Sequence, residues 1–174
     1  MSCLLTSGIS LGCRDQIGGV AEVYVGAYNG TSMTIAIGTS SNAGQVTAFG
    51  GTTVSFYTFA VAQETSSFTE TGEFSTENGT SFYTHTLELV IQKLSATYGA
   101  IVNTLGQGVW RVLVKTNNGE YYLLGFQNGM RVSAAESGAG KSLGDMSGSK
   151  ITFQGKEQYV AYQVTSSAAL SVIA

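Results

Sequence analysis

The sequence predicts a mainly β fold, in which two packed antiparallel sheets form a sandwich or barrel-like structure flanked by one α-helix. Apolar and polar residues alternate with the period of a strand along much of the chain. Asn-Gly pairs, which favour tight hairpin turns, separate several of these runs. Only one segment, about 95–107, repeats its apolar residues at helical spacing. We expect the 174 residues, 1–174, to form a single domain.

The helix is predicted from its cap and its apolar stripe. Ser95 stands at the expected N-cap position, where its hydroxyl can accept from backbone N–H groups. Gly106 and Gly108 stand at the other end, where either can take the left-handed C-terminal conformation. Gly99, inside the helix, should cost about 1 kcal/mol relative to alanine, so we expect packing to hold the helix. The stripe consists of Tyr98, Ile101, Val102 and Leu105.

Strands are predicted on both sides of the helix from alternating runs rich in β-branched and aromatic residues. The strongest hairpin signal is the Asn-Gly pair at 118–119, which separates two such runs. Further Asn-Gly pairs at 29–30 and 128–129 predict two more turns. The predicted strands cover residues 20–28, 33–38, 45–49, 53–62, 84–91, 109–116, 120–126, 130–135, 150–155 and 158–165.

Four segments lack the strand pattern. They are an N-terminal arm (1–19), a polar excursion (63–81), a glycine-rich connection (136–149) and a C-terminal tail (166–174) that is either frayed or docked. The excursion contains four glutamates and no basic residue. Its residues are too polar to supply a core, and its glutamates have no local partners. We therefore expect it to be a solvated loop or a long hairpin, mobile in an isolated subunit.

The composition excludes several classes of protein. Hydrophobic residues make up 43% of the chain and charged residues only 11%, which excludes a disordered chain. Surfaces of free monomers normally carry more charge, so we expect neighbouring subunits to cover much of this one. A net charge of -3 argues against a general nucleic-acid-binding surface, which needs a basic patch.

The N-terminus and the cysteines indicate the compartment. The sequence has neither the basic region of a signal peptide nor the long apolar run of a membrane span, so we expect synthesis in a cytoplasm and no membrane partner. Cys3 and Cys13 lack the paired spacing of a zinc or thioredoxin-like site. We interpret them as free thiols in a reducing compartment.

The run AESGAGKS at 135–142 differs from the phosphate-binding pattern GxxxxGK[ST] at its first position, where Ala135 replaces glycine. Phosphate binding in such a loop also requires a following helix whose N-terminus faces the phosphates. Glycines at 144 and 148 follow instead, and the chain continues into a predicted strand. We interpret the run as a glycine-rich connection and expect no cofactor.

A catalytic site is not predicted. His85 is the only histidine, so a metal site with several histidines is impossible, and a Ser-His-Asp triad would have to use Asp15 or Asp145. No nucleophile-elbow motif is present, and nothing holds two glutamates of the excursion at a fixed separation. We expect no enzymatic activity and no metal, and we expect His85 to face solvent or a subunit boundary.

The aromatic residues leave one alternative open. Trp110 and the nine tyrosines would suit a glycan-binding platform, because aromatic faces stack on sugar rings. Most of them, however, alternate within predicted strands, where packing in a core or interface is the commoner use.

Four stretches, taken together, resemble the tail tube proteins of long-tailed bacteriophages, especially those of phages that infect Bacteroidetes. They cover about half of the chain in the expected order. They are GCRDQIGGVAEVYV (12–25), ETSSFTETGEFSTENGTSFYTHTLELVIQKLSA (64–96), GEYYLLGFQNGMRVSA (119–134) and GKSLGDMSGSKITFQGKE (140–157).

The resemblance implies two packed antiparallel sheets beside one helix, a fold shared with the tubes of contractile tails and of type VI secretion. It implies that the subunit forms hexameric rings whose inner sheets join into a continuous barrel. Stacked rings would make a conduit through which viral DNA passes without specific binding. The implied partners are further copies of the chain and other tail proteins, in a virion assembled in the cytoplasm of a bacterial host.

The resemblance also implies where subunits touch. In this family, the long loop between strands and the N-terminal arm commonly reach adjacent subunits or rings. The expected interface residues are therefore in the arm (1–19) and the excursion (63–81). They are Arg14, Asp15, Glu64, Phe68, Glu70, Glu73, Phe74 and Glu77.

Other functions are compatible with the same sequence. A tail terminator, a baseplate ring or a capsid decoration protein of a phage would have a related fold. A glycan-binding β-sandwich is a more distant alternative from another functional class. Particle size separates the tube from the glycan-binding module.

Overall fold

The computed structural model describes residues 8–9, 14, 16–28, 33–39, 43–51 and 54–174. The fold is mainly β, as predicted, with two packed sheets and two short helices in these residues. The strands are β1 (Val20–Ala27), β2 (Met33–Ile37), β3 (Val46–Gly51), β4 (Tyr57–Ala60), β5 (Ser67–Ser75), β6 (Thr80–Ile91), β7 (Trp110–Thr116), β8 (Tyr121–Leu124), β9 (Arg131–Gly138), β10 (Gly148–Glu157) and β11 (Tyr162–Val164). The helices are α1 (Ala96–Gln107) and α2 (Ser166–Leu170).

The strands form a large sheet and a small sheet. The large sheet has seven strands in the order β2-β3-β11-β8-β7-β1-β4, and the small sheet has four in the order β5-β6-β10-β9. All neighbours are antiparallel except β3 and β11, which run parallel where Val164 pairs with Val46. The prediction of antiparallel sheets is wrong at this pair, because β11 returns to the large sheet from β10 rather than through a hairpin with β3.

The first core lies between the two sheets. Alternate residues of each strand point inward, as the period of a strand requires. The inward apolar residues in the middle of β6 and β10 are fully buried against aliphatic residues of the large sheet. This core contains Leu87, Leu89, Ile151 and Phe153 from the small sheet, and Val23, Val25, Val112 and Val114 from the large one.

A second core covers the opposite face of the large sheet. Ala168 and Ala169 of α2 pack there beside Leu113 and Leu123. The C-terminal tail is therefore docked, and α2 is a helix that sequence analysis did not predict. Its five residues are too few to display a helical period.

The C-terminal tail is also held by the backbone of Phe56. The Phe56 N–H donates to the Val172 carbonyl at 2.8 Å, and the Ala174 N–H donates to the Phe56 carbonyl at 3.0 Å. Phe56 is 1% exposed, and its ring lies 6.3 Å from that of Phe49 on β3. Phe56 precedes β4, so both margins of the large sheet contribute to this core.

The start of α1 matches the prediction. Ser95 is the N-cap, and its Oγ accepts from the Tyr98 N–H at 3.2 Å. Of the predicted stripe, Leu105 is buried in the first core, whereas Ile101 and Val102 are only partly buried against it. The predicted face therefore packs on the sheets mainly through its last turn.

The end of α1 differs from the prediction. Gly106 lies inside the helix, and Gly108 has φ -102°, so neither provides a left-handed residue after the last turn. Instead, the Trp110 indole N–H donates to the Leu105 carbonyl at 2.7 Å and satisfies an acceptor that the helix leaves open. Gly108 has no side chain to clash with the Trp110 ring, which lies where a Cβ would stand.

The predicted turns are confirmed at two of three places. At 118–119, the Thr116 N–H donates to the Glu120 carbonyl at 2.8 Å, and Gly119 has φ 83°. At 128–129, Gly129 has φ 71°, a conformation that glycine adopts readily. The predicted turn at 29–30 lies outside the described residues, as do Cys3 and Cys13.

Several strand boundaries differ from the prediction. Only Tyr57–Ala60 of the predicted strand 53–62 forms β4. The glycine-rich connection is shorter than predicted, because β9 continues to Gly138 and β10 begins at Gly148. The predicted strand 158–165 is reduced to the three residues of β11.

Candidate assembly surfaces

The acidic excursion is a hairpin. Residues 67–75 form β5 and pair in unbroken antiparallel register with β6, from Ser67 opposite Glu88 to Ser75 opposite Thr80. Strand β10 covers β6 only as far as Tyr83, opposite Glu157. The last three pairs of the hairpin therefore extend beyond the rest of the small sheet. We call residues 73–82 the hairpin tip.

The hairpin tip exposes an aromatic side chain among acidic ones. Phe74 is 69% exposed, although its ring contacts Tyr83 edge-on with 5.7 Å between centroids. Glu73 and Glu77 are exposed as well. A single exposed aromatic side chain is common on protein surfaces, so the feature that distinguishes the hairpin tip is its reach beyond the rest of the small sheet. The structure places Phe74, Glu73 and Glu77 together, at the exposed end of the excursion.

Phe68 and Glu70 lie at the base of the hairpin and face the interior. Phe68 packs against the first core, and its ring lies 5.7 Å from that of Tyr122. Glu70 accepts a hydrogen bond from the Ala161 N–H at 2.6 Å. The expectation that the excursion is too polar to supply core residues and that its glutamates lack partners is wrong at these two positions, because the inward face of β5 continues that of the small sheet.

His85 is buried, and the expectation that it faces solvent or a subunit boundary is wrong. It is 1% exposed and points between the sheets from the middle of β6. Its Nε2 lies 3.1 Å from the Tyr159 carbonyl oxygen and 3.4 Å from Glu70 Oε1. The position of His85 within its strand could not predict this burial, because its partners, Glu70 of β5 and the Tyr159 carbonyl after β10, are distant in the sequence.

The remaining expected interface residues lie elsewhere. Glu64 is exposed in the turn before β5, with φ 60°, at the end of the small sheet opposite the hairpin tip. Arg14 is exposed in the N-terminal arm. Asp15 lies outside the described residues. The structure therefore gathers three of the eight expected residues into one surface, the hairpin tip.

The small sheet has two long outer strands. No strand among the described residues pairs with the outer edge of β5 or of β9, which have nine and eight residues. The pairing of β9 with β10 shifts register near Val132, and such a bulge-like irregularity bends the strand and changes the direction of its outer edge. Strand β5 has no such irregularity, no lysine and no proline, so of the devices that protect an edge from pairing it carries only the carboxylates of Glu70 and Glu73.

The outer face of the small sheet, which points away from the large sheet, is mostly polar, with Phe82 and Val90 as its large apolar residues, and it carries equal numbers of acidic and basic side chains. The registers and the alternation of side chains place six threonines there: Thr69, Thr71, Thr80, Thr84, Thr86 and Thr152. Among the described residues the face also carries three acidic and three basic side chains, and Lys150 lies 3.0 Å from Glu88. The six charged residues are Glu73, Glu88, Glu136, Arg131, Lys150 and Lys156.

An apolar groove of about 750 Å³ runs between α1 and β4. Ile101 and Leu105 form one wall, and Phe59 lies on the other. Tyr57, at the rim, is 64% exposed. An uncovered apolar surface beside an edge strand suits burial against another subunit.

The sequence did not predict a buried polar cluster that contains Arg111 and Glu157. Arg111 is 3% exposed, with its guanidinium 4.7 Å over the Tyr28 ring and its Nη2 donating to the Phe126 carbonyl at 3.3 Å. Burial lowers the pKa of Arg111, while Tyr28 and Glu157 act in the opposite direction. The carboxylate of Glu157 accepts from the backbone N–H groups of Gln127 and Asn128 at 2.9–3.1 Å. The cluster fixes the turn after β8.

The run at 135–142, which resembles a phosphate-binding loop, binds the carboxylate of the nearby Asp145. Asp145 accepts from the backbone N–H groups of Lys141 and Ser142, both at 2.8 Å. These hydrogen bonds hold the pKa of the Asp145 carboxyl below its usual value. These two N–H groups are therefore occupied, and the chain continues from here into β10 rather than into a helix.

The described residues contain no group of three or more His, Cys, Asp or Glu side chains placed to hold a metal ion. Neither helix in the described part of the chain has the length and hydrophobicity needed to cross a bilayer. Trp110 is partly buried against the first core, where its ring packs below the end of α1. The candidate assembly surfaces are thus the outer edges of β5 and β9, the hairpin tip, and the apolar groove between α1 and β4.

Comparisons with protein-family models, curated proteins and solved structures give no significant match to this chain.

Proposed function

We propose that the chain is a structural protein of a phage virion, the tail tube subunit whose hexameric rings stack into the conduit for DNA ejection. The sequence resemblance gives the proposal its content. The observation that carries it is the long and regular outer edge of β5, which no strand among the described residues covers. A strand of nine residues with an unpaired edge is a template for pairing with another chain.

The two outer strands of the small sheet offer a way to close a ring. If β5 of one subunit lies beside β9 of the next, the contact is heterologous, and repeating it with a suitable rotation closes a ring. Six copies of the four-stranded sheet would then form one continuous barrel. The irregularity in β9 would add bend to this barrel, as such features do at sheet edges.

In such a ring, the outer face of the small sheet lines the lumen. DNA is held by lysine and arginine contacts that release counterions, so a face on which acidic and basic side chains balance would retain it poorly. Threonines make up much of the rest of this face, which also includes Phe82 and Val90. The proposal thus assigns the passage of DNA without specific binding to a neutral polar surface.

The hairpin tip is proposed to contact a neighbouring subunit or the next ring. It extends past β10, exposes Phe74, and contributes little to either core. The apolar groove beside α1 is a second surface that assembly would cover. Together they account for the low charge of the chain, because covered surfaces need few charged residues.

Lysine substitutions on β5 test the proposal. In Thr69→Lys with Thr71→Lys, both changes lie on the outer face of the edge strand and leave its pairing with β6 intact. We expect negative-stain microscopy to show rings and tubes for the wild type and neither for this variant, since edge lysines oppose strand pairing. The matched control is Asn103→Lys with Gln107→Lys, which adds the same charge at exposed positions of α1.

The outcomes separate the alternatives. Monomeric wild-type particles would contradict the proposal, and so would a β5 lysine variant that still builds tubes. Single rings that never stack would favour a tail terminator, a baseplate ring or a decoration protein.

A further inference from the structure

The described chain contains three Asn-Gly pairs, at 78–79, 118–119 and 128–129, and these sequences are chemically reactive. The backbone nitrogen of the glycine can attack the side-chain carbonyl carbon of the asparagine. A carbon–nitrogen bond forms, ammonia leaves, and a cyclic succinimide results. Water then opens the ring to aspartate or isoaspartate. The reaction requires a side chain that is free to turn and a glycine nitrogen that can approach it.

Asn78 meets these requirements. It lies in the turn of the β5–β6 hairpin and is exposed. Its carboxamide makes no hydrogen bond to the described residues, and only its backbone N–H is engaged, with Ser75 Oγ at 3.3 Å. Gly79 has φ 62° and no atom close to the place of a Cβ. Both reacting groups are therefore open to rearrangement.

Asn118 is also exposed, but its reacting groups are engaged. Its Oδ1 accepts from the Ile17 N–H at 2.9 Å, and its Nδ2 donates to Gln16 Oε1 at 2.7 Å. The N–H of Gly119, which would have to attack, donates to the Thr116 carbonyl at 2.9 Å. Succinimide formation here would first break these hydrogen bonds.

Asn128 is held more firmly. Its Nδ2 donates to the Lys156 carbonyl at 2.7 Å, and its backbone N–H donates to Glu157 Oε1 at 2.9 Å. Gly129 is buried, with Tyr28 and Val109 packed where its Cβ would stand. The glycine backbone therefore lacks the room that ring closure requires.

We infer that Asn78 is a site of spontaneous modification, where the folded protein loses ammonia and gains an aspartate or isoaspartate in the hairpin tip. The change adds a negative charge near Glu73 and Glu77. Isoaspartate also lengthens the backbone by one methylene within the turn. The reaction needs only water and is independent of the proposed function.

Peptide mass spectrometry of the folded protein tests the inference. After incubation in mildly alkaline buffer, deamidation raises the mass of the affected peptide by about one dalton. We expect Asn78 to react roughly tenfold faster or more than Asn118 and Asn128, since local opening must precede reaction at the engaged sites. In denaturant, the three rates should converge. Asn78→Gln should abolish the fast reaction.

The β5 lysine variant serves as the decisive sample, because assembly could cover the hairpin tip of the wild type. Fast reaction at Asn78 in that variant supports the inference, whether or not the wild type forms tubes. Equal rates at the three sites of the folded variant would overturn it. Fast reaction at Asn118 or Asn128 instead would also overturn it.

Discussion

Glu70 Oε1 lies 3.4 Å from His85 Nε2, on neighbouring strands of the small sheet. The same oxygen accepts from the Ala161 N–H at 2.6 Å, and the same histidine nitrogen lies 3.1 Å from the Tyr159 carbonyl. The pair thus joins the base of the hairpin to the segment that leads into β11. The excursion is consequently divided into a base that belongs to the fold and a tip that does not.

Removing the Glu70 carboxylate should destabilise the subunit. Glu70→Ala leaves the Ala161 N–H without its acceptor and the buried His85 without its carboxylate, so we expect a loss of about 1–3 kcal/mol. The control Glu73→Ala, at an exposed position of the same strand, should stay within about 0.5 kcal/mol. Urea unfolding of dilute subunits measures both. Equal losses would refute the division of the excursion.

The packing of α1 should contribute more to the free energy of unfolding through its last turn than through its middle. Leu105 is 4% exposed in the first core, so Leu105→Ala should cost about 2–5 kcal/mol. Ile101 is partly buried at the groove, and Ile101→Ala should cost about 1 kcal/mol, in proportion to its smaller buried area. Chemical denaturation measures the two values. A larger loss at Ile101 would mean that the groove is filled in solution.

Two glycines should respond to alanine in opposite directions. Gly99 lies on the exposed side of α1 with no atom near its Cβ position, so Gly99→Ala should stabilise by about 0.5–1 kcal/mol. At Gly148, an added Cβ would overlap the Ile91 carbonyl oxygen within the β6–β10 pairing. Gly148→Ala should therefore lower the melting temperature, which calorimetry measures. Similar shifts for both variants would contradict the packing described here.

Stability should fall at alkaline pH in part through Tyr122. Burial, assisted by the hydrogen bond to Glu120, raises the pKa of Tyr122 to about 12. A folded-state pKa above the usual value of about 10 means that the folded protein binds this proton more tightly. The stabilisation that results from this raised pKa is thus complete below about pH 10 and is lost as the pH rises towards about 12.

Tyr122→Phe should flatten this loss of stability, as followed by urea unfolding across the alkaline range. The control is Tyr57→Phe, which removes a hydroxyl from a side chain that is 64% exposed. A profile that changes as much in the control as at Tyr122 would contradict the assignment.

Local signals predicted the local structure. Ser95 predicted the start of α1 because an N-cap acts on the next few backbone groups. The Asn-Gly pair at 118–119 predicted its hairpin because the turn conformation is set within those residues. The polarity of the run at 63–81 predicted a solvated loop or long hairpin, which describes its tip, whereas Glu73, Phe74 and Glu77 were expected at an interface only from the resemblance.

Long-range contacts were beyond such signals. Nothing in the sequence predicted that Arg111 is buried, because β7 is covered on both faces by other elements and partners far along the chain surround the guanidinium. His85 was misplaced for the same reason, since Glu70 and Tyr159 reach it from other elements. The end of α1 was misassigned because the indole of Trp110 replaced the local glycine motif.

Sedimentation velocity of the wild-type protein from nanomolar to high micromolar concentration tests the central claim most directly. A tube subunit should form a species of six times the 18.1 kDa chain mass, with larger stacked species as concentration rises. The β5 lysine variant should remain at the mass of one chain. A single wild-type species of 18.1 kDa at every concentration would contradict the account.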